Sequence, residues 1–201
     1  MTNLRYNWLL KVRSSVTRPK EKIIRITVVG DGATGKTCLL IVYKDKKYDD
    51  RYIPTIFDEY SMTIPINYEP YTIILSDTAG QEEFDKLRQL AYRFADAFIL
   101  CYSITERSSF DNIQYIWAPE LKRFRSRASI ILVATKIDLL ANRVVTTEEG
   151  EALAREIGAA GFIETSAKKQ WNIDAAFQMA LWSVVSNRRA SSRPKSQCSL
   201  L

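Results

Sequence analysis

The stretch "KIIRITVVGDGATGKTCLLIVYK" (22–44) decides the fold. It opens as a β-branched run ending in glycine, which reads as a buried strand. It closes with "KTCLLIVYK" (36–44), which reads as a helix. Between them "GDGATGKT" (30–37) fits G-x-x-x-x-G-K-[ST], a phosphate-binding loop in the strand–turn–helix setting that such a loop requires. Its glycines, Gly30, Gly32 and Gly35, let backbone N–H groups turn inward on phosphate oxygens, at a helix N-terminus whose dipole favours anions. Asp31, Ala33, Thr34 and Cys38 complete the candidate nucleotide-binding residues of this stretch. Lys36 is placed to reach the β- and γ-phosphates, and the Thr37 hydroxyl suits Mg²⁺. A plain glycine turn is the alternative. The loop alone does not say which nucleotide is held or what its hydrolysis serves.

Outward from this loop the pattern repeats. Apolar runs at 71–76, 97–103 and 129–135 alternate with helical segments at 83–94, 107–124, 146–157 and 172–187. "FDEYSMTIPI" (57–66) forms a hairpin with the run that follows it, and 158–164 allows one more short strand. The implied fold is α/β: a six-stranded, mostly parallel sheet with one antiparallel edge strand and helices on both faces.

Composition narrows the classes. At 201 residues and 46% hydrophobic, the chain has room for one ordinary domain plus tails. No apolar run approaches the about 18 residues of a membrane span. Three scattered cysteines suit a reducing compartment. There is no histidine, which excludes Ser-His and Cys-His machinery and histidine-ligated metals. The net charge of +6 is unevenly placed. Residues 1–20 hold five basic side chains and 188–201 hold four, with no acid in either, while 21–187 holds 20 basic and 23 acidic residues. An acidic body with basic ends argues against a nucleic-acid-binding face and for tails that meet an anionic surface. The expected organisation is a basic extension (1–21), a nucleotide-binding domain (22–187) and a basic tail (188–201).

Three further motifs follow the loop, each at the end of a strand. In "DTAGQE" (77–82), Asp77 closes an apolar strand, where an acid is costly unless it meets a cation such as Mg²⁺. Gly80 can bring its N–H close to a γ-phosphate, and Gln81 can position a water for in-line attack. The bland reading of the hexapeptide is a solvated turn. In "TKID" (135–138), the Asp138 carboxylate can accept from guanine N1–H and N2–H, whereas adenine presents an acceptor there. Thr135 ends that strand, and Lys136 can pack its stem along the base. In "TSAK" (165–168), the Ala167 N–H can meet guanine O6, flanked by Ser166 and Lys168. A strand-end turn is the bland reading of TKID alone. Four such elements, in order at one sheet edge, sit where open α/β sheets bind ligands.

With these residues the chain resembles the Ras superfamily of small GTPases, whose fold is a P-loop NTPase G domain, over about 22–187. "GDGATGKTCLL", "YIPTIFDEYS" (52–61) and "IWAPEL" (116–121) look like the Rho branch. The resemblance implies GTP/GDP and Mg²⁺ as cofactors, with Thr37, Thr55 and Asp77 as metal-side residues. It implies Gln81, Lys36 and Thr55 as the catalytic set, and Tyr48, Tyr52 and Pro54 beside the nucleotide. It also implies an effector loop of Tyr52, Ile53, Pro54, Thr55, Ile56, Phe57, Asp58, Glu59 and Tyr60. Trp117 reads as a buried residue that packs its helix on the body. Gly32 leaves room for the glutamine and for an arginine supplied by an activating protein. Four departures stand out. "LLANRVVTTEEGEALAREIG" (139–158) runs on without the Rho insert helix, so the second half looks Ras- or Rab-like. Ser76 stands where Rho and Rab proteins usually have tryptophan. Thr34 replaces the more usual valine. The N-terminal extension is long.

The resemblance implies a monomeric GTP/GDP switch acting with Rho-type effectors, exchange factors and activating proteins in actin and polarity signalling. A Rab-like trafficking regulator and a GTP-locked binding module are the alternatives. "CSLL" (198–201) fits a prenylation box loosely at Cys198, with terminal Leu favouring geranylgeranyl. With Arg188, Arg189, Arg193 and Lys195 as a second signal, the expected place is the cytoplasmic face of a membrane. "NLRYNWLLKVRSSV" (3–16) sets Leu4, Trp8 and Val12 at helical spacing beside basic residues and could lie on a membrane, or be a plain extension.

Overall fold

A computed structural model describes residues 22–49, 56–80 and 84–192. Its elements are β1 (Ile23–Val29), α1 (Lys36–Asp45), β2 (Phe57–Ile66), β3 (Glu69–Thr78), α2 (Asp85–Tyr92), β4 (Ala97–Ser103), α3 (Arg107–Asn112), a π-helical turn (Ile113–Trp117), α4 (Ala118–Arg125), β5 (Ser129–Thr135), a 3₁₀ segment (Ile137–Asn142), α5 (Thr147–Ile157), β6 (Gly161–Glu164) and α6 (Ile173–Ser192). The sheet runs β2-β3-β1-β4-β5-β6. Only the β2–β3 pair is antiparallel, with Asp58 opposite Asp77 in register. The alternation read from the sequence therefore yields the six-stranded sheet it implied.

Each face of the sheet carries its own core. Leu39 and Leu40 of α1 and Phe177, Leu181 and Val184 of α6 pack on Ile24, Ile26, Val28 and Ile99. Tyr92, Phe110, Ile113, Trp117, Leu121 and Leu153 pack on Phe98, Leu100, Tyr102 and Leu132. β4 and β5 are buried at every position, as expected of strands covered on both sides.

α5 starts at a capping box: Thr146 Oγ1 accepts from the Glu149 N–H, and Glu149 accepts from the Thr146 N–H. It begins five residues after the 3₁₀ segment ends at Asn142, with no helix inserted between them. The segment read as one helix over 107–124 is three pieces, α3, a π turn and α4. α6 runs past Asn187, the expected end of the domain, to Ser192. The extra turns are anchored: Asn187 Nδ2 donates to Ser129 Oγ at 3.1 Å, and Arg188 donates to the Ile23 carbonyl at 2.9 Å.

Candidate functional site

The parallel strands β1, β4, β5 and β6, together with β3, bring the sequence motifs to one edge of the sheet. Gly30 has φ 134°, and a Cβ there would stand 2.2 Å from the Cys101 carbonyl oxygen. Gly80 presses equally hard on the loop: its Cβ would lie 2.4 Å from backbone atoms of Gly30, Asp31 and Gly32. Backbone contact this close brings the β3 end against the phosphate loop, and only a residue without Cβ permits it. Gly32 is the opposite case, with nothing within 4 Å of an added Cβ.

Lys36 opens α1 and is buried. Its ammonium donates to the Gly30 carbonyl at 2.8 Å and the Asp31 carbonyl at 2.6 Å, which closes the loop around it. Burial pushes the Lys36 pKa below its ordinary range, offset in part by the nearby carboxylates of Asp77 and Asp31. Asp77 is fully buried, and Thr37 is half-buried in the first turn of α1. Among the described residues no group of three or more Cys, Asp or Glu side chains gathers as a metal site. One hydroxyl and one carboxylate are hard oxygen donors, the donor set that suits Mg²⁺ when substrate phosphates and water supply the rest.

A cavity of about 180 Å³ opens beside the loop, lined by Gly35, Cys38, Leu39, Tyr48, Thr135, Lys136, Asp138, Leu139, Thr165, Ala167 and Lys168. The Lys136 stem passes 4.0 Å from where a Gly35 Cβ would be. Ser166 Oγ donates to Asp138 Oδ1 at 2.6 Å and accepts the Lys169 N–H at 3.0 Å. The 166–171 loop is closed by paired backbone bonds between Ser166 and Trp171. Asp138 is thus aimed by a hydroxyl that is itself held. Thr135 acts as a brace: its hydroxyl lies 2.6 Å from the Thr34 carbonyl and 2.9 Å from the Tyr102 carbonyl. Burial raises the Cys38 thiol pKa and pushes Cys101 up to about 12, so neither is a thiolate near neutrality.

The structure gives Trp117 more than a packing role. Its ring is buried, and its indole N–H donates to Asp31 Oδ1 at 2.7 Å, while Asn112 Nδ2 donates to Asp31 Oδ2 at 2.7 Å. In an α-helix residues five apart diverge by about 140°. The π turn over Ile113–Trp117 widens the helix so that both reach one carboxylate. Arg88 lies under the same indole, its guanidinium carbon 4.6 Å from the ring centroid. It also donates to the Ala79 carbonyl at 3.1 Å and pairs with Asp85 and Glu120. The phosphate loop, the β3 end, α2 and α3 therefore meet at Trp117. Asn112 and Arg88 were not legible as site residues. The available signal was a tryptophan read as buried, whose indole N–H then requires a partner.

Tyr52, Ile53, Pro54, Thr55, Gln81 and Cys198 lie outside the described residues, as does the 3–16 segment. Of the effector loop, Ile56 is exposed and Phe57, Asp58, Glu59 and Tyr60 begin β2. Ser76 is buried in β3, opposite Glu59 and Thr27.

The sheet order, the loop and the adjoining cavity define a P-loop nucleotide-binding domain. A family model described as the Ras family matches residues 25–186. The Ras-like GTP-binding protein RhoL of Drosophila melanogaster is 40% identical over 181 residues, covering 89% of this chain and 94% of that protein. The chain belongs to the Ras family of small GTPases.

Proposed function

We propose that this chain is a GTP/GDP switch of the Rho type that needs Mg²⁺ and hydrolyses GTP slowly without an activating protein. The observation that carries the reading is the joined site: a hydroxyl-oriented Asp138 in a base-sized cavity, directly beside the Lys36 loop. Asp138 would pair with the guanine edge, and Lys136 and Tyr48 would flank the base. Lys36 and the loop N–H groups would hold phosphate charge. Bound Mg²⁺, held by Thr37, Asp77 and Thr55, would neutralise charge shared by the β- and γ-phosphates. Gln81 would orient the attacking water, and the open space at Gly32 admits a partner's arginine. Similarity to a protein named RhoL supports the Rho branch. The direct run from the 3₁₀ segment into α5 favours a Rab-like regulator as the second reading. Cys198 would carry a prenyl group and hold the chain on the cytoplasmic face of a membrane.

The test is single-turnover hydrolysis after loading with GTP or ATP, alone and with Rho-type or Rab-type activating proteins. Expected are retention of GTP only, slow decay alone, and acceleration of about 10³–10⁵-fold with a Rho-type activator. Failure to retain GTP would sink the reading. Acceleration only by a Rab-type activator would move the chain to the other branch, and retention with no hydrolysis would make it a locked binding module.

A further inference from the structure

The N-terminal ends of β1, β4 and β5 form the sheet edge opposite the nucleotide cavity. The described chain around the domain begins and ends there: Lys22 leads into β1, and near the end of α6 Asn187 and Arg188 bond to Ser129 and Ile23. The chain enters β5 on the same edge through "KRFRSR" (122–127), four basic side chains and no acid. Lys122, Arg123, Arg125 and Arg127 are all exposed. Among the described residues none of the four forms a salt bridge. The nearby Asp96 is already engaged, 3.0 Å from Arg188. A concavity of about 230 Å³ sits in this patch, lined by Lys122, Arg125, Arg127, Ser129, Gly158 and Asn187. In sequence, Arg18 and Lys20 precede this edge and Arg193 and Lys195 follow it. The acidic balance of the body as a whole hides this segregation.

We propose that this edge docks on an anionic membrane, with the Lys122–Arg125–Arg127 concavity taking a phosphate-bearing lipid headgroup. Charge selects the occupant: Arg125 donates to the Ala95 carbonyl at 3.0 Å, but among the described residues no carboxylate pairs with any of the four cations, and such a cluster recruits a polyanion. Phe124, the one aromatic in the run, packs inward on Tyr92 and offers no base-stacking platform, which disfavours nucleic acid. Docking here turns the nucleotide edge, where effectors would bind, away from the lipid. The proposal deepens the membrane reading above but does not require Cys198 to be modified.

The test uses the unlipidated full chain, GDP-loaded, in flotation with phosphatidylcholine vesicles with or without phosphatidylserine or phosphatidylinositol bisphosphate. The variant Lys122→Gln/Arg123→Gln/Arg127→Gln, with both tails intact, should bind the bisphosphate vesicles about 100-fold more weakly, at about fivefold per basic side chain. Its GDP retention should be unchanged. Equal vesicle binding by variant and wild type overturns the proposal. So does binding of soluble inositol trisphosphate that vesicles do not compete away, or tighter binding to a nucleic-acid duplex than to vesicles. If the variant loses GDP, hydrogen exchange of the wild type decides: slowed exchange over 122–130 on vesicles supports the face, and unchanged exchange there overturns it. Loss of GDP binding by the wild-type chain would instead strike at the switch reading, so the two failures stay separate.

Discussion

At the base end of the site, Asp138 is held by one hydroxyl from a loop that closes on itself through Ser166 and Trp171. At the phosphate end, Asp31 is held by two donors from a helix, Asn112 and Trp117, and Lys36 by the loop's own carbonyls. The base end takes 135–139 and 165–168 from the chain at the ends of β5 and β6, neighbouring strands in parallel register, and closes them against Gly35, Cys38, Leu39 and Tyr48. The phosphate end joins four segments distant in sequence: the loop, the β3 end, α2 and α3. On the proposed reading, base choice would rest largely on the pairing of β5 with β6, while the Lys36 loop is tied to α2 through Trp117 and Arg88. Displacing Arg88 from beneath Trp117 would be felt at Asp31.

The largest expected effect breaks the base end alone. Asp138→Ala should weaken GTP binding by about 10⁴-fold and abolish its preference over ATP, because the proposed carboxylate partner of the guanine N–H groups, the one carboxylate among the described residues lining the cavity, is lost. Titration with labelled nucleotides checks this, and folding of the nucleotide-free protein should be unaffected. Gly30→Ala breaks the other end through the fold itself. A Cβ at 2.2 Å from the Cys101 carbonyl oxygen, at φ 134°, should cost about 4 kcal/mol or more in denaturant unfolding. Gly32→Ala, two residues along the same loop, should cost little stability and should instead blunt stimulated hydrolysis, since its side chain would occupy the open space.

Trp117→Phe sharpens the comparison. It keeps the ring over Arg88 and removes the N–H that Asp31 accepts. A hydrogen bond to a charged group contributes about 1.5–3 kcal/mol, so GDP release should speed by roughly tenfold in stopped flow, with guanine-over-adenine preference intact. A change in base preference would show that the two ends are not separable.

These differences also explain what the sequence could disclose. "GDGATGKT", "DTAGQE", "TKID" and "TSAK" each begin at a strand end, so reading the strands sufficed to bring these motifs to one sheet edge. The hold on Asp31 was not legible, because it depends on a π turn that brings residues five apart onto one side, and helical periodicity assigns them to different sides. The end of α6 was misplaced for a related reason. "NRRASS" (187–192) has no apolar stripe, and its first helical turns are held by Ile23, Asp96 and Ser129, contacts that exist only after folding. The "KRFRSR" run was in plain view, but its meaning lies in its position at the edge where the chain enters and leaves the sheet.

The smallest expected effect falls on Thr34, which resemblance alone treats as a near-neutral replacement for valine. The structure gives its hydroxyl a partner, the Asp31 carbonyl at 2.9 Å, and buries it. The same carbonyl also accepts from Lys36, so losing the Thr34 bond leaves Asp31 satisfied. The link between the two ends of the site runs through the Thr34 backbone, whose carbonyl meets the Thr135 hydroxyl, and a side-chain change leaves that link in place. Thr34→Val should therefore cost about 1 kcal/mol or less in thermal unfolding. GTP affinity and single-turnover hydrolysis should stay within about twofold, on the order of 0.4 kcal/mol. A tenfold change in hydrolysis would mean that the threonine hydroxyl reaches the phosphates, and the phosphate end would then contain a polar contact that the present hydrogen bonds do not predict.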